Sequence, residues 1–175
     1  MIPRMRNNSY EVQTKFADAI HRQLNEKGIF EVILKTGYCD VELESIRRGT
    51  FDERHLLDIA REFSADGIMF CEVSSFSAYE PLQLGCSLTF VDMRESVVTL
   101  HTNGFWNTND ANVSKKFLQD VCRIHHCQQY AANVYLRSPT EFMSFVARDL
   151  AEFLQGAIYE STNGRAQRNF GPSNR

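Results

Sequence analysis

The sequence predicts a single α/β domain of the α+β kind, with helices packed on a mixed or antiparallel sheet that contains a three-strand antiparallel meander. Three observations predict it. Leu84, Cys86, Leu88 and Phe90 alternate with Gly85, Ser87 and Thr89, the period of a strand with one buried face. Amphipathic stripes with helical spacing lie on both sides of that region. The chain has 175 residues, 43% of them hydrophobic, which suits one ordinary core.

Taken in order, residues 1–8 are expected to form a flexible amino terminus and 9–158 the domain. Val12, Phe16, Ile20 and Leu24 recur every fourth position and predict a first helix over 9–27. Gly28 stands where a left-handed C-cap is easily adopted. The apolar run 30–34 then suits a short buried strand. Residues 38–48 are charged and irregular, and read as a loop or weak edge strand. Thr50 with Glu53 makes a capping-box pattern ahead of Leu56, Ile59, Ala60 and Phe63, so a second helix is expected over 51–64.

Gly67 opens the meander, with strands expected at 68–77, 84–93 and 96–106. The connection 92–96 is short enough for a hairpin, whereas 79–81 needs a wider turn because Pro81 cannot donate to a ladder. Polar residues 107–110 end the sheet and offer helix caps. Val113, Phe117, Val121 and Ile124 mark a third helix, with a break expected at 125–129 and a further turn or two around Ala131, Val134 and Tyr135. Ser138, Pro139 and Glu141 combine an N-cap, a first-turn proline and a capping glutamate before the apolar positions from Phe142 to Leu154. Residues 159–175 carry no period and read as a disordered tail.

The charge balance, 19 basic against 22 acidic residues, leaves a net charge of −3 with no basic patch, which disfavours nucleic acid as a partner. No stretch reaches the roughly 20 uninterrupted apolar residues of a membrane helix, and Arg4 and Arg6 follow Met1 with no apolar signal core behind them. If the natural protein is exported, a signal or lipid-bearing segment is expected upstream of this sequence. Cys39, Cys71, Cys86, Cys122 and Cys127 are odd in number, so at least one thiol is free within one chain. Cys71 and Cys86, set among apolar neighbours, read as small buried hydrophobes, a usage that fits a reducing compartment.

Chemistry is sparse. Residues 122–127 hold Cys122, His125, His126 and Cys127, ligand types that suit zinc. On a continuous helix, however, 127 points away from 122, and no second ligand pair stands at finger-like spacing. The bland reading is a helix end whose histidines face solvent and assist the last carbonyls. Cys127, His101 and Asp110 can be nominated as nucleophile, base and orienter, yet nothing in the sequence links them. Glu72, in a strand between Cys71 and Val73, is the one carboxylate whose burial would raise its pKa, against the commoner reading that it faces solvent. No phosphate-binding glycine loop, nucleophile elbow or zinc-protease helix motif occurs. The aromatic side chains Phe76 and Tyr79, with Pro81 behind them, and Phe105 and Trp106 fall at ends of the predicted sheet and form the candidate partner-binding set; Trp106 serves equally as core.

Residues 65–106 carry a resemblance. The turn Ala65-Asp66-Gly67, the strand from Ile68 to Val73, the connection Tyr79-Glu80-Pro81, a strand ending in Val91-Asp92 and a hairpin running to Trp106 are similar to a bacterial envelope-lipoprotein pattern. That group includes the amino-terminal domain of TolB, the curli secretion lipoprotein CsgG and the lipoprotein activators of penicillin-binding proteins. The resemblance covers about residues 12–110. It implies an anticodon-binding-like fold and residence in the periplasm or at the outer membrane through a lipid anchor, the cytoplasm being the alternative. It also implies a protein partner in the envelope, with no cofactor and no catalytic residue. Two features depart from the pattern: Arg94-Glu95-Ser96 lacks the usual hairpin glycine, and no lipid-bearing cysteine precedes the domain. The expected function is therefore a non-catalytic protein-interaction domain of the envelope, possible as an oligomer and as part of an outer-membrane assembly or secretion system. The alternative is a small metal-binding protein or enzyme that uses His125, His126 and Cys127.

Overall fold

The alternating run at 84–90 forms the middle strand of a three-stranded antiparallel sheet in the computed structural model, which describes residues 8–28, 30–34, 53–95, 97–127 and 132–168. The strands β1 (Gly67–Ser77), β2 (Gln83–Asp92) and β3 (Val97–Asn107) lie side by side in sequence order. Each expected strand is found within one residue at both ends. The α+β class is as the sequence predicts.

Register decides what each face carries. Cys71, Leu88 and Thr102 stand in one row across the sheet, and Phe76, Leu84 and Trp106 in another. With Val73 and Cys86 they make one face, packed beneath α1 (Asn8–Glu26), α3 (Ala111–Ile124) and α5 (Pro139–Arg168). Phe16, Leu24, Leu84, Leu88, Phe117, Phe142 and Val146 are fully buried there. Phe117 meets Phe142 edge-on, ring centroids 5.3 Å apart, and lies 5.2 Å from Phe145, which ties α3 to α5.

The other face is covered at one end. Leu56 and Ala60 of α2 (Glu53–Phe63) pack with Val91 and Met93, and Leu57, Ile68 and Phe70 fill the margin. Towards the opposite end of this face stand Ser75, Ser87, Asn103 and Phe105, and no helix among the described residues overlies them.

Helix ends follow local chemistry. Gly28 takes φ of +64° and its N–H donates to the Asn25 carbonyl at 3.0 Å, the left-handed stop expected after α1. Asp110 caps α3 by accepting from the N–H groups of Asn112 (2.8 Å) and Val113 (3.2 Å). Ser138 accepts from the Glu141 N–H at 3.3 Å and caps α5. A single turn of helix, α4 (Asn133–Leu136), lies between them.

Two expectations require correction. Residues 30–34 are not a strand: Val32 donates its N–H to Asn25 Oδ1 at 3.0 Å, and its carbonyl accepts from His21 Nε2 at 2.8 Å. Side chains at the end of α1 thus satisfy the backbone that a ladder would have used, while Phe30 packs on Phe90 with centroids 6.1 Å apart. Residues 159–168, assigned to a structureless tail, continue α5 as far as Arg168. No proline stands between Pro139 and Pro172, and single glycines at 156 and 164 weaken a helix by only about 1 kcal/mol each. The first residues of the chain, the segment 38–48, the Thr50 half of the capping box and residues 169–175 lie outside the described residues.

Candidate functional site

A three-stranded sheet has two edges, and the chain treats them differently. On β1, Gln13 of α1 reaches the backbone of Val73: its Oε1 accepts the Val73 N–H at 3.0 Å and its Nε2 donates to the Val73 carbonyl at 3.3 Å. A side-chain amide here imitates a neighbouring strand. Just beyond, the ladder skips Ser74 in a bulge between Val73 and Ser75, which twists this edge further from regular pairing.

The alternation of the ladder carries that observation across to β3. In an antiparallel pair, a residue directs its N–H and C=O to the same side, and its neighbours in sequence direct theirs to the other. Val73 turns outward to Gln13, so its partner Cys86 turns towards β3 and bonds Gly104. Thr102 and Leu100 follow Gly104 inward, which leaves His101, Asn103 and Phe105 with their backbone groups pointing out. The short side-chain contact between Thr89 Oγ1 and His101 Nδ1, 2.9 Å, agrees with a closely spaced non-hydrogen-bonded pair there. Among the described residues, no backbone group bonds the outer edge of β3 between 97 and 106.

Nothing in the composition of β3 guards that edge. Edge strands are commonly blunted by lysine, other charges or proline. Val97–Asn107 contains no Asp, Glu, Lys, Arg or Pro. Val97, Val98 and Phe105 are exposed, the last by 61%. The Phe105 ring covers the backbone of Gly85: a Cβ there would stand 3.3 Å from the ring and 2.6 Å from Ser75 Oγ, so any side chain at 85 would require the serine hydroxyl to rotate away.

The five aromatic and proline positions proposed from sequence therefore part company. Phe76 and Trp106 belong to the helix-facing side and pack on the core. The Trp106 indole N–H donates to Asp149 Oδ2 at 2.9 Å, and Lys116 Nζ lies 3.1 Å from Asp149 Oδ1, so this pair anchors the end of β3 to α5 and α3. Tyr79, 84% exposed, and the half-buried Pro81, preceded by a cis peptide bond, lie in the β1–β2 connection. Phe105 alone of the five stands on the open edge strand with its ring in solvent. The β1 cap by Gln13 was not foreseen. Its only trace in the sequence is a glutamine on α1 one position from the apolar Val12.

The cluster near the end of α3 is built differently from a metal cage. His125 stacks on Tyr135, centroids 3.9 Å apart and 11° from parallel, with Nε2 buried 3.3 Å from Glu141 Oε2 but not aligned to hydrogen-bond it. His126 is exposed on the turn with φ of +49°. Cys127 does not point away from Cys122, as a continuous helix would require. The helix stops at Ile124 and the turn returns its Sγ to 3.9 Å from that of Cys122. Among the described residues, no three His, Cys, Asp or Glu side chains are grouped to hold a metal ion. Cys127, His101 and Asp110 are likewise used separately: a thiol neighbour for Cys122, a partner for Thr89 and a helix cap. Glu72 is half-buried on β1, in register with Ser87.

Two further charged features shape the helical side. Asp120, buried in α3, accepts from Arg148 of α5 through both oxygens, at 3.2 and 3.0 Å from Nε, and from Arg123 at 2.7 Å. A groove of about 510 Å³ runs between α1, the end of α3 and α5, with Arg22, Lys27, Arg123, Arg148, Glu26 and Glu152 along it. Three of these four cations are paired with carboxylates, Arg148 and Arg123 with Asp120 and Lys27 with Glu152 at 3.7 Å, while Arg22 Nε donates to the Asp18 carbonyl at 3.4 Å. No helix among the described residues is long and apolar enough to cross a membrane. Comparison with known proteins finds no matching family model, no matching curated protein and no matching solved structure.

Proposed function

We propose that this is a non-catalytic protein-interaction domain of the cell envelope, which receives an extended segment of a partner protein along the outer edge of β3. The observation that carries the reading is the contrast between an edge capped by Gln13 and an 11-residue edge with no charge, no proline and no backbone partner among the described residues. Strand addition supplies affinity through main-chain hydrogen bonds to an exposed edge and specificity through alternate side chains. Here the groups at His101, Asn103 and Phe105 offer the bonds, while the Phe105 ring over Gly85 offers an apolar contact. Placement in the envelope, with a lipid anchor upstream, rests on the resemblance of residues 65–106 to envelope lipoproteins.

A photo-crosslinking residue at position 101, in cells that make the natural protein, tests this. Crosslinks confined to one short segment of an envelope protein, lost in Asn103→Pro and kept in Asn103→Ala, are the expected result. Proline at 103 removes an outward donor without breaking a bond to β2. Equal crosslinking in the two variants would refute strand addition, and a partner confined to the cytoplasm would refute the envelope placement.

A further inference from the structure

Cys122 and Cys127 flank the turn that ends α3. His125 donates its N–H to the Val121 carbonyl at 3.0 Å, and His126 adopts the left-handed conformation, which histidine tolerates better than most side chains. The reversal leaves Cys127 Sγ 3.9 Å from Cys122 Sγ and 4.0 Å from the Val121 carbonyl. Both residues are half-buried free cysteines, open in part to solvent. Cys86, buried, and Cys71, half-buried, stand instead on the sheet face beneath the helices, and burial pushes the Cys86 thiol up to about 12 and the Cys71 thiol up as well. Among the described residues, two thiols are thus held in the sheet and raised by burial, and one adjacent pair lies at the end of α3.

We propose that Cys122 and Cys127 form a dithiol site that a low-molecular-weight disulfide converts reversibly to an intramolecular disulfide. A disulfide needs its sulfurs about 2.05 Å apart, so closure draws the two sulfurs together from 3.9 Å. One cysteine, as thiolate, attacks a sulfur of the reagent; that S–S bond breaks, and the first reduced thiol leaves with the proton the cysteine gave up. The second cysteine then attacks the mixed disulfide, loses its own proton and releases the second reduced thiol. Each cysteine sulfur is oxidised by one electron and the reagent is reduced by two. The closed ring clamps the turn that presents His125 to Tyr135. Burial, and then the adjacent Cys127 sulfur, push the Cys122 thiol upward, so attack through the Cys122 thiolate speeds up as pH rises.

The full chain equilibrated with graded ratios of oxidised to reduced glutathione, quenched with N-ethylmaleimide and mapped by mass spectrometry, provides the test. The expected product has lost two hydrogens, with residues 122 and 127 linked in one chain, and dithiothreitol restores both thiols. Cys71 and Cys86 become alkylated only after unfolding. In Cys122→Ser the reaction stops at a glutathione adduct on Cys127. Alkylation of both Cys122 and Cys127 at every ratio, or pairing of either with another cysteine or a second chain, would overturn the proposal.

Discussion

The two edges of the sheet carry the same kind of backbone and meet opposite fates. On β1, α1 crosses close enough for Gln13 to satisfy both polar groups of Val73. On β3, the helices among the described residues approach from the covered face, through Trp106 and its bond to Asp149. The difference teaches that closing an edge takes no extra strand. One amide side chain on a packed helix satisfies both outward groups of a strand residue, and among the described residues no such bond is found on the outer side of β3.

The comparison is broken most severely by removing what holds both edges to one core. Leu84 is fully buried in β2, so Leu84→Ala should cost about 4 kcal/mol, read as a shift in the urea midpoint with loss of exchange protection on β1 and β3 together. Asp120→Ala comes next. It strands the half-buried Arg148 without its carboxylate and should cost about 3 kcal/mol; because the clasp joins α3 to α5, protection should fall there more than on β1. Gln13→Ala opens the capped edge. Leaving the Val73 N–H and carbonyl without their partner should cost about 1.5 kcal/mol, with faster exchange of the Val73 amide and little change on β3. Asn103→Pro, at the open edge, should change stability by under about 1 kcal/mol because no ladder bond is lost. If Asn103→Pro proved as damaging as Gln13→Ala, the β3 edge would be paired after all.

The smallest effect concerns the hairpin that launches β3. The Arg94 backbone N–H donates to Asp92 Oδ1 at 2.9 Å, and the Arg94 guanidinium adds its own bond. Together they hold the Asp92 carboxyl below its ordinary value of 3.8. A carboxylate lowered on folding stabilises the native state above its unfolded pKa and loses that contribution as pH falls through the folded one. Acid titration should therefore loosen the 92–97 hairpin below about pH 4, and Asp92→Asn should abolish that pH dependence.

The strands were legible because local alternation and global burial agree: Leu84, Cys86 and Leu88 point to the helices as their period demands. Residues 30–34 misled because an apolar run looks the same whether its backbone meets a strand or, as here, the side chains of Asn25 and His21. The open edge was legible only in part. The hydrophobicity of β3 is visible in sequence, but which of its residues turn outward follows from the Gln13 contact, 60 residues away in the chain. Cys127 was misplaced for a similar reason, since the left-handed turn at His126 breaks the helical geometry from which its direction was inferred.

The pairing of α1 with α5 over one face of the sheet brings together helices from the two ends of the described chain. The meander is made of neighbours in sequence and can assemble early, whereas the lid over Leu84, Cys86 and Leu88 is completed only when α5 arrives. A nascent chain still lacking α5 thus displays a sticky apolar sheet, so the final collapse of this domain should wait until α5 has emerged, with chaperones guarding the interval before it.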